Sequence, residues 1–330
     1  MKHNFTRICI AGAGAIGCTL AARLATTGLI PNILARGDTL TALKTQGIEL
    51  TDLDGYHHAT VHASDNPQQL GPQELIFICT KAPALADILE TLQPMITTDT
   101  IVIPLVNGVP WWYFHGLEHG DEITLTSVDP DQRIERLLPA SQVIGAVTFM
   151  TAHTQAPAKV QSTNPHLLTV GELNHQSSER LLRVRQLIED AGIEARASDH
   201  IRDPLWTKII ANLTSNPLSI ISGASLSQIY SSTQLAPLTR QILNETLLVA
   251  AAYSARIPFD PPTFMQMGAE MGEFKTSMLQ DYQAGRPLEL ATIGDAVVEL
   301  AQRVGLDMPI TRHTLGLAHF MDEQNRASSM

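Results

Sequence analysis

Cysteine is scarce in this chain, with Cys9, Cys18 and Cys79 the only three among 330 residues. Their odd number, each in or beside an apolar run, argues against a disulfide framework or a cysteine-rich metal centre and fits free thiols in a reducing cytoplasm. Basic residues are also few, 22 against 33 acidic ones, giving a formal charge of −11. No run of five or six like charges occurs, so the cations that a phosphate backbone requires are missing and nucleic acid is not an expected partner. The first residues lack the hydrophobic region and cleavage site of a signal peptide. Residues 209–239 hold no Asp, Glu, Lys or Arg, but they include Asn212, Thr214, Ser215, Asn216 and Pro217. That segment is too polar to cross lipid, and no membrane association is expected.

What is present suits a globular enzyme-sized chain. Hydrophobic residues make up 44% and charged residues 17%, and the length allows two domains. Strand-like apolar runs at 7–11, 32–35, 75–79 and 100–106 alternate with helix-like segments, which predicts an α/β, mainly parallel, doubly wound Rossmann-type sheet. Further strands are predicted over 142–151, 158–162 and 167–170, and an amphipathic helix over 178–191. From about His200 the pattern is helical, with breaks expected at Pro217, Gly223, Pro258, Pro261-Pro262, Gly285-Arg286-Pro287 and Pro309. The domain boundary is placed between 199 and 200, giving a dinucleotide-binding domain over 1–199 and an all-α domain over 200–330. Residues 322–330 read as a fraying tail.

The predicted first strand runs into Gly12-Ala13-Gly14-Ala15-Ile16-Gly17 and then a helix. A GxGxxG pattern is weak alone and strong in this strand–turn–helix setting. Gly12 allows the tight turn, Gly14 lets the backbone approach a pyrophosphate, Gly17 allows helix to pack on sheet, and the helix N-terminus offers amides to the anion. At the end of the second strand, where NAD-specific sites commonly carry an acidic residue, stands Arg36. Its guanidinium suits a 2′-phosphate, which points to NADP, although Asp38 lies close by. Two more loops follow predicted strand ends, where ligands bind in such sheets. Lys81 can contact cofactor or substrate charge, and Asn107, before Gly108, can hold a nicotinamide amide or a substrate oxygen.

Lys208, Asn212 and Asn216 recur at four-residue steps, along one face of a helix. An ammonium and two amides on a buried stripe need polar partners, and a small polar substrate would supply them. Reduction of a ketone needs a proton for the developing alkoxide, and Lys208 can give it. Ser277 can donate to a substrate carboxylate or cap a helix. Glu289, expected in the first turn of a helix begun by Pro287, can bind a hydroxyl or orient Lys208. Of the side features, His57-His58 reads as a solvated pair with no metal role, and Met265, Met267, Met271 and Met278 as helix core. The aromatics of Pro110-Trp111-Trp112-Tyr113-Phe114 read as packing.

Together, the glycine turn, Thr80-Lys81, Asn107-Gly108, Trp206-Thr207-Lys208 with Asn212 and Asn216-Pro217, Ser277-Met278 and Pro287-Leu288-Glu289 resemble the ketopantoate reductase family, in order along nearly the whole chain. The resemblance implies NADPH-dependent reduction of 2-dehydropantoate (ketopantoate), a step of pantothenate and coenzyme A biosynthesis. It implies Lys208 as proton donor, Asn212, Asn216 and Ser277 as substrate ligands, and Lys81, Asn107 and Glu289 as cofactor contacts or completing groups. It further implies a C-terminal domain like that of 6-phosphogluconate dehydrogenase relatives, often paired into homodimers. Two departures bear on the substrate. Residues 221–226 hold no asparagine where the family carries a further substrate ligand, and Ala291 stands where an acidic residue is usual. The alternatives are a family reductase for a different 2-oxo acid and, in another class, a non-catalytic dinucleotide-binding redox sensor.

Overall fold

Residues 5–328 are described in a computed structural model, in which the chain partitions into two units. The first takes the chain to Val106 with Phe114–Ile123 and Gln132–Ile201, and the second takes Asn107–Tyr113, Thr124–Asp131 and everything from Arg202 onward. The two short excursions, 107–113 and 124–131, carry no compositional mark in the sequence that would assign them to a helical unit.

The first unit is built on a five-stranded sheet in the order His62–Ser64, Asn32–Leu34, Ile8–Ala11, Leu75–Ile78, Ile101–Pro104. Every pairing is parallel. Ile8–Ala11, Leu75–Ile78 and Ile101–Pro104 are buried throughout, the pattern of strands covered on both faces. Strand order reverses between Ile8–Ala11 and Leu75–Ile78, and the carboxyl ends at such a reversal are where doubly wound sheets bind ligands. The Ile144 amide bonds the Val102 carbonyl at 3.1 Å. Through that contact the outer strand of the five is followed by a mixed sheet of Gly145–Phe149, Leu167–Gly171 and Glu194–Ala197.

A four-stranded layer of Gly55–Ala59, Ile48–Asp52, Lys159–Ser162 and Ala152–Ala156 completes the unit. The hairpin of Ile48–Asp52 and Gly55–Ala59 turns at Leu53-Asp54 and places His57-His58 on its return strand, while Glu194–Ala197, four residues with one buried position, is too short to stand out in the sequence. The strand expected over 142–151 shortens to Gly145–Phe149. Ser178 caps the helix Glu179–Asp190 by accepting the Leu181 amide, close to the expected span.

The second unit is helical: Arg202–Ser222, Leu226–Ser231, Ala236–Ala252, Pro261–Glu270, Ser277–Gln283, Ala296–Arg303 and Pro309–Ser328. Contrary to expectation, Arg202–Ser222 does not break at Pro217. Proline removes the N–H that the Leu213 carbonyl would receive. Residues 213–220 are all buried, however, and the helix packs against Ala236–Ala252, Ser277–Gln283 and Pro309–Ser328, which outweighs one lost bond. Pro261, Pro262 and Pro309 start helices, since the first turn needs no N–H from them.

The expected fraying tail is also corrected. The last helix runs to Ser328, with Asp322 buried and Asn325 donating to the Tyr282 carbonyl at 2.7 Å; residues 329 and 330 lie outside the described residues. Of the methionines expected in the core, Met265 and Met278 are buried, whereas Met267 and Met271 are more than half exposed. Among the described residues, no helix is long and apolar enough to cross a membrane.

Candidate functional site

In the first unit the glycine turn behaves as its pattern requires. Gly12 has φ +106°, and a Cβ there would lie 2.9 Å from Thr80 Cγ2. A Cβ on Gly17 would lie 2.0 Å from the Gly12 carbonyl oxygen, so helix and turn meet without room for a side chain. Gly14 differs, with open space around its would-be Cβ and an exposed backbone. The helix Ala15–Ala25 begins there with no side-chain cap, leaving its first amides for an anion. Ala13, Ala15 and Ile16, partly buried against the core, fill the turn between these glycines. The geometry fits a dinucleotide pyrophosphate.

Around this turn, Thr80 Oγ1 is buried with no hydrogen-bond partner among the described residues. Lys81 follows it, half-buried and extended, at the start of a short 3₁₀ turn. Arg36 is exposed, just past the strand Asn32–Leu34 at the head of the helix Gly37–Gln46. Burial pushes the thiols of Cys9 and Cys18 up to about 12, and that of Cys79 up as well, so all three are neutral and unsuited to nucleophilic work. Among the described residues no group of His, Cys, Asp and Glu is arranged to hold a metal ion. His57 instead bonds Asp52 at 3.1 Å within its hairpin.

In the second unit Lys208, Asn212 and Asn216 all lie on Arg202–Ser222, at the spacing that aligns them on one face. Asn216 is buried, while Lys208 and Asn212 are half-buried. Desolvation lowers the Lys208 ammonium from 10.5 to about 8, and the negative charge of Glu289 opposes that fall. Glu289 is itself buried, and Asn107 Nδ2 donates to its Oε2 at 3.0 Å. Asn107, Lys208 and Glu289 are thereby brought together within one unit.

The local path to Glu289 differs from the expected one. No helix begins at Pro287; helical structure starts at Leu290, and Glu289 sits just ahead of it with its carbonyl accepting the Ile293 amide. Residues Ala291–Asp295 then form a π-helical turn. Ser277 is exposed at the first position of Ser277–Gln283 and is not that helix's cap. The cap is the buried Thr276, whose hydroxyl accepts the Leu279 amide at 3.0 Å and pairs with Ser219 Oγ at 2.6 Å. Thr276 escaped notice because a threonine before a polar run is an ordinary sight in sequence. Its partner is 57 residues away.

The aromatics after Gly108 are packing residues, as expected. Trp111, Trp112, Tyr113 and Phe114 are all buried. Tyr113 receives a hydrogen bond from Trp206 Nε1 at 2.8 Å on its hydroxyl, and one from Arg202 Nε at 2.7 Å on its carbonyl. These bonds tie the 107–113 segment to the start of the helix that carries Lys208.

Comparison with known proteins identifies a family for the chain. The family model for ketopantoate reductase PanE/ApbA matches residues 8–175, and that for its C-terminal domain matches 200–322. A 2-dehydropantoate 2-reductase from Mesorhizobium japonicum is 34% identical over 313 residues, 94% of this chain and 96% of its own. A Ralstonia solanacearum protein assigned to the ketopantoate reductases has a crystal structure with TM-score 0.92 and 34% identity, covering 97% of this chain and 99% of its own. D-mandelate dehydrogenase, solved with NADH and anilino(oxo)acetate, shares the fold at TM-score 0.81 and 22% identity, over 97% of this chain and 99% of its own. With family models spanning both parts of the chain, the protein belongs to the ketopantoate reductase family.

Proposed function

We propose that this chain reduces 2-dehydropantoate to pantoate with NADPH, Lys208 giving the proton. The observation that carries the reading is a half-buried lysine lowered to about 8 beside the buried Glu289, on a helix face shared with Asn212 and Asn216. A nicotinamide dinucleotide, when held at the glycine turn, would supply the hydride that a ketone carbon takes up. At neutral pH Lys208 is mostly protonated, so it holds the ketone oxygen, stabilises charge gathering there and passes its proton to it. Glu289, anchored by Asn107, keeps the ammonium charged and aimed. Asn212 and Asn216 hold the substrate oxygens, and exposed Ser277 binds its carboxylate.

The glycine turn 12–17 takes the pyrophosphate, Lys81 contributes positive charge, and Arg36 takes the 2′-phosphate that distinguishes NADP from NAD. Asn107 also serves the nicotinamide side. Pairing through the helical part into a homodimer, in the cytoplasm, belongs to the same reading.

The test is steady-state NADPH oxidation against a panel of 2-oxo acids. Ketopantoate is expected to show the highest kcat/KM. If unrelated 2-oxo acids match it, the substrate assignment fails and a sister activity on another acid stands, a reading favoured by the lack of asparagine in residues 221–226. If no oxo acid consumes NADPH, the reductase reading itself fails.

A further inference from the structure

The loop Asn107-Gly108-Val109 and the π-helical turn Ala291–Asp295 meet with no spare room. Gly108 has φ +84°, and a Cβ there would lie 2.3 Å from both the carbonyl carbon and oxygen of Thr292 and 2.7 Å from the Ile293 nitrogen. The Val109 amide donates to the Thr292 carbonyl at 2.7 Å. An α-helix commits each interior carbonyl to the amide four residues on; a π-turn inserts one residue and disturbs that ladder, and such turns gather at functional sites. Here the loop amide takes the carbonyl. On its other side the turn is fixed too, since a Cβ on Gly294 would lie 2.3 Å from Leu315 Cδ2. The backbone crossing thus involves the residues that follow Asn107 directly and a carbonyl three residues beyond Glu289, the two residues whose side chains bond at 3.0 Å.

We propose that this crossing is a positioning device for the reductase reaction. Gly108 and the π-turn set the distance between the Asn107 amide and the Glu289 carboxylate, and through that carboxylate the aim of Lys208. Gly108 and Thr292 are positioning residues, acting through Asn107 and Glu289 rather than on substrate. A single bond of 3.0 Å cannot by itself hold a carboxylate at one angle. Two backbone segments in van der Waals contact, one of them a glycine in the left-handed region, leave little freedom at either end of that bond. The inference rests on the reductase reading, which wild-type turnover tests separately.

Two variants of the full chain address it. Gly108→Ala pushes the loop off the turn. Deletion of the exposed Ala291 converts the π-turn to α-helix, a change that keeps the phase of the following helix while withdrawing the Thr292 carbonyl. In variants with wild-type circular dichroism, kcat is expected to fall roughly tenfold to hundredfold, as for misplacement of a reacting group by about an ångström. KM for NADPH, set mainly by the glycine turn and Arg36, should change less than kcat even though Asn107 also serves the nicotinamide side. The alkaline fall in kcat should also move to lower pH, because a displaced Glu289 supports the Lys208 ammonium less. A merely structural role would lower the yield of folded enzyme and leave the pH midpoint in place. Folded variants with unchanged kcat and midpoint would overturn the proposal. Hydrogen exchange on the wild-type chain gives a check that needs no variant: the Val109 amide should be as protected as those of Arg202–Ser222, and loop-like exchange would equally overturn it.

Discussion

Lys208 shows how one residue's surroundings become its chemistry. At its ordinary value an ammonium stays charged across the working range and is a poor proton donor; lowered to about 8, it is still protonated at neutral pH and gives its proton more readily. The reductive kcat is therefore expected to be level near pH 7 and to fall as pH rises past about 8, since the acid form is the active one. Lys208→Met should cost roughly a hundredfold to ten-thousandfold in kcat, with NADPH binding retained by fluorescence titration; near-normal turnover would remove the lysine from the mechanism. Arg36 makes the complementary case on the cofactor. Exposed and extended at the strand end, its guanidinium forms no ion pair or hydrogen bond among the described residues, so Arg36→Ala should raise KM for NADPH on the order of tenfold and leave NADH oxidation unchanged. Equal losses with both cofactors would refute its role at the 2′-phosphate. Lys208, Asn212 and Asn216 were legible because their spacing is local to one helix. The contact of Asn107 with Glu289 was not, since it joins residues 182 apart and is produced by a backbone crossing that no spacing encodes.

Elements were legible where the physics is local. The strands Ile8–Ala11 and Leu75–Ile78 read as continuous apolar runs because both faces are covered, and the glycine turn between strand and helix reads from its own steric needs. Pro217 misled because a local rule, the missing N–H, met a buried helix whose packing decides the matter. The π-turn was invisible for the opposite reason: its sequence Ala291-Thr292-Ile293-Gly294-Asp295 is compatible with ordinary helix, and tertiary contacts select the wider form. Capping lies between these extremes. Ser225 heads Leu226–Ser231 in a capping box with Gln228, and its hydroxyl also donates to Glu273 at 2.7 Å. That second bond holds the 272–274 loop, whose Gly272 and Phe274 carbonyls accept the Ser227 and Leu226 amides. Ser225→Ala removes both roles and should lower stability by about 1–2 kcal/mol, read as a drop in urea midpoint. An unchanged midpoint would mean that water replaces the hydroxyl at no cost.

For the whole molecule, the balance of titrating groups sets how stability changes with pH. Burial pushes the Glu172 carboxyl up, but Arg180, at 2.6–2.7 Å, and the Ser178 hydroxyl outweigh it and hold the group below its ordinary 4.5. Glu74 and Glu299 follow the same pattern, burial opposed and overcome by backbone amides of Thr6 and Arg7 in one case and of Ser127 and Thr126 in the other. A carboxyl lowered in the folded state is protonated first in the unfolded chain, so its contribution is full above 4.5 and is lost as pH falls through the folded value. His166 acts in the same direction at higher pH: burial lowers it below 6.5, the unfolded chain takes up the proton first, and acidification favours unfolding. His319, raised by Asp295, opposes this, since its contribution is present below 6.5 and lost as pH rises through its folded value. Relief of the −11 net charge on acidification also opposes the loss, but those charges are mainly exposed and screened. The two histidines offset one another, so the urea midpoint should stay nearly level between pH 6.5 and 4.5 and fall steeply below 4.5, where the lowered carboxyls take up protons. Glu172→Gln should lower the neutral midpoint by about 2 kcal/mol equivalent and reduce the steep acid slope. A variant that matched the parent slope would show that the acid sensitivity of the fold lies elsewhere than in its buried ion pairs.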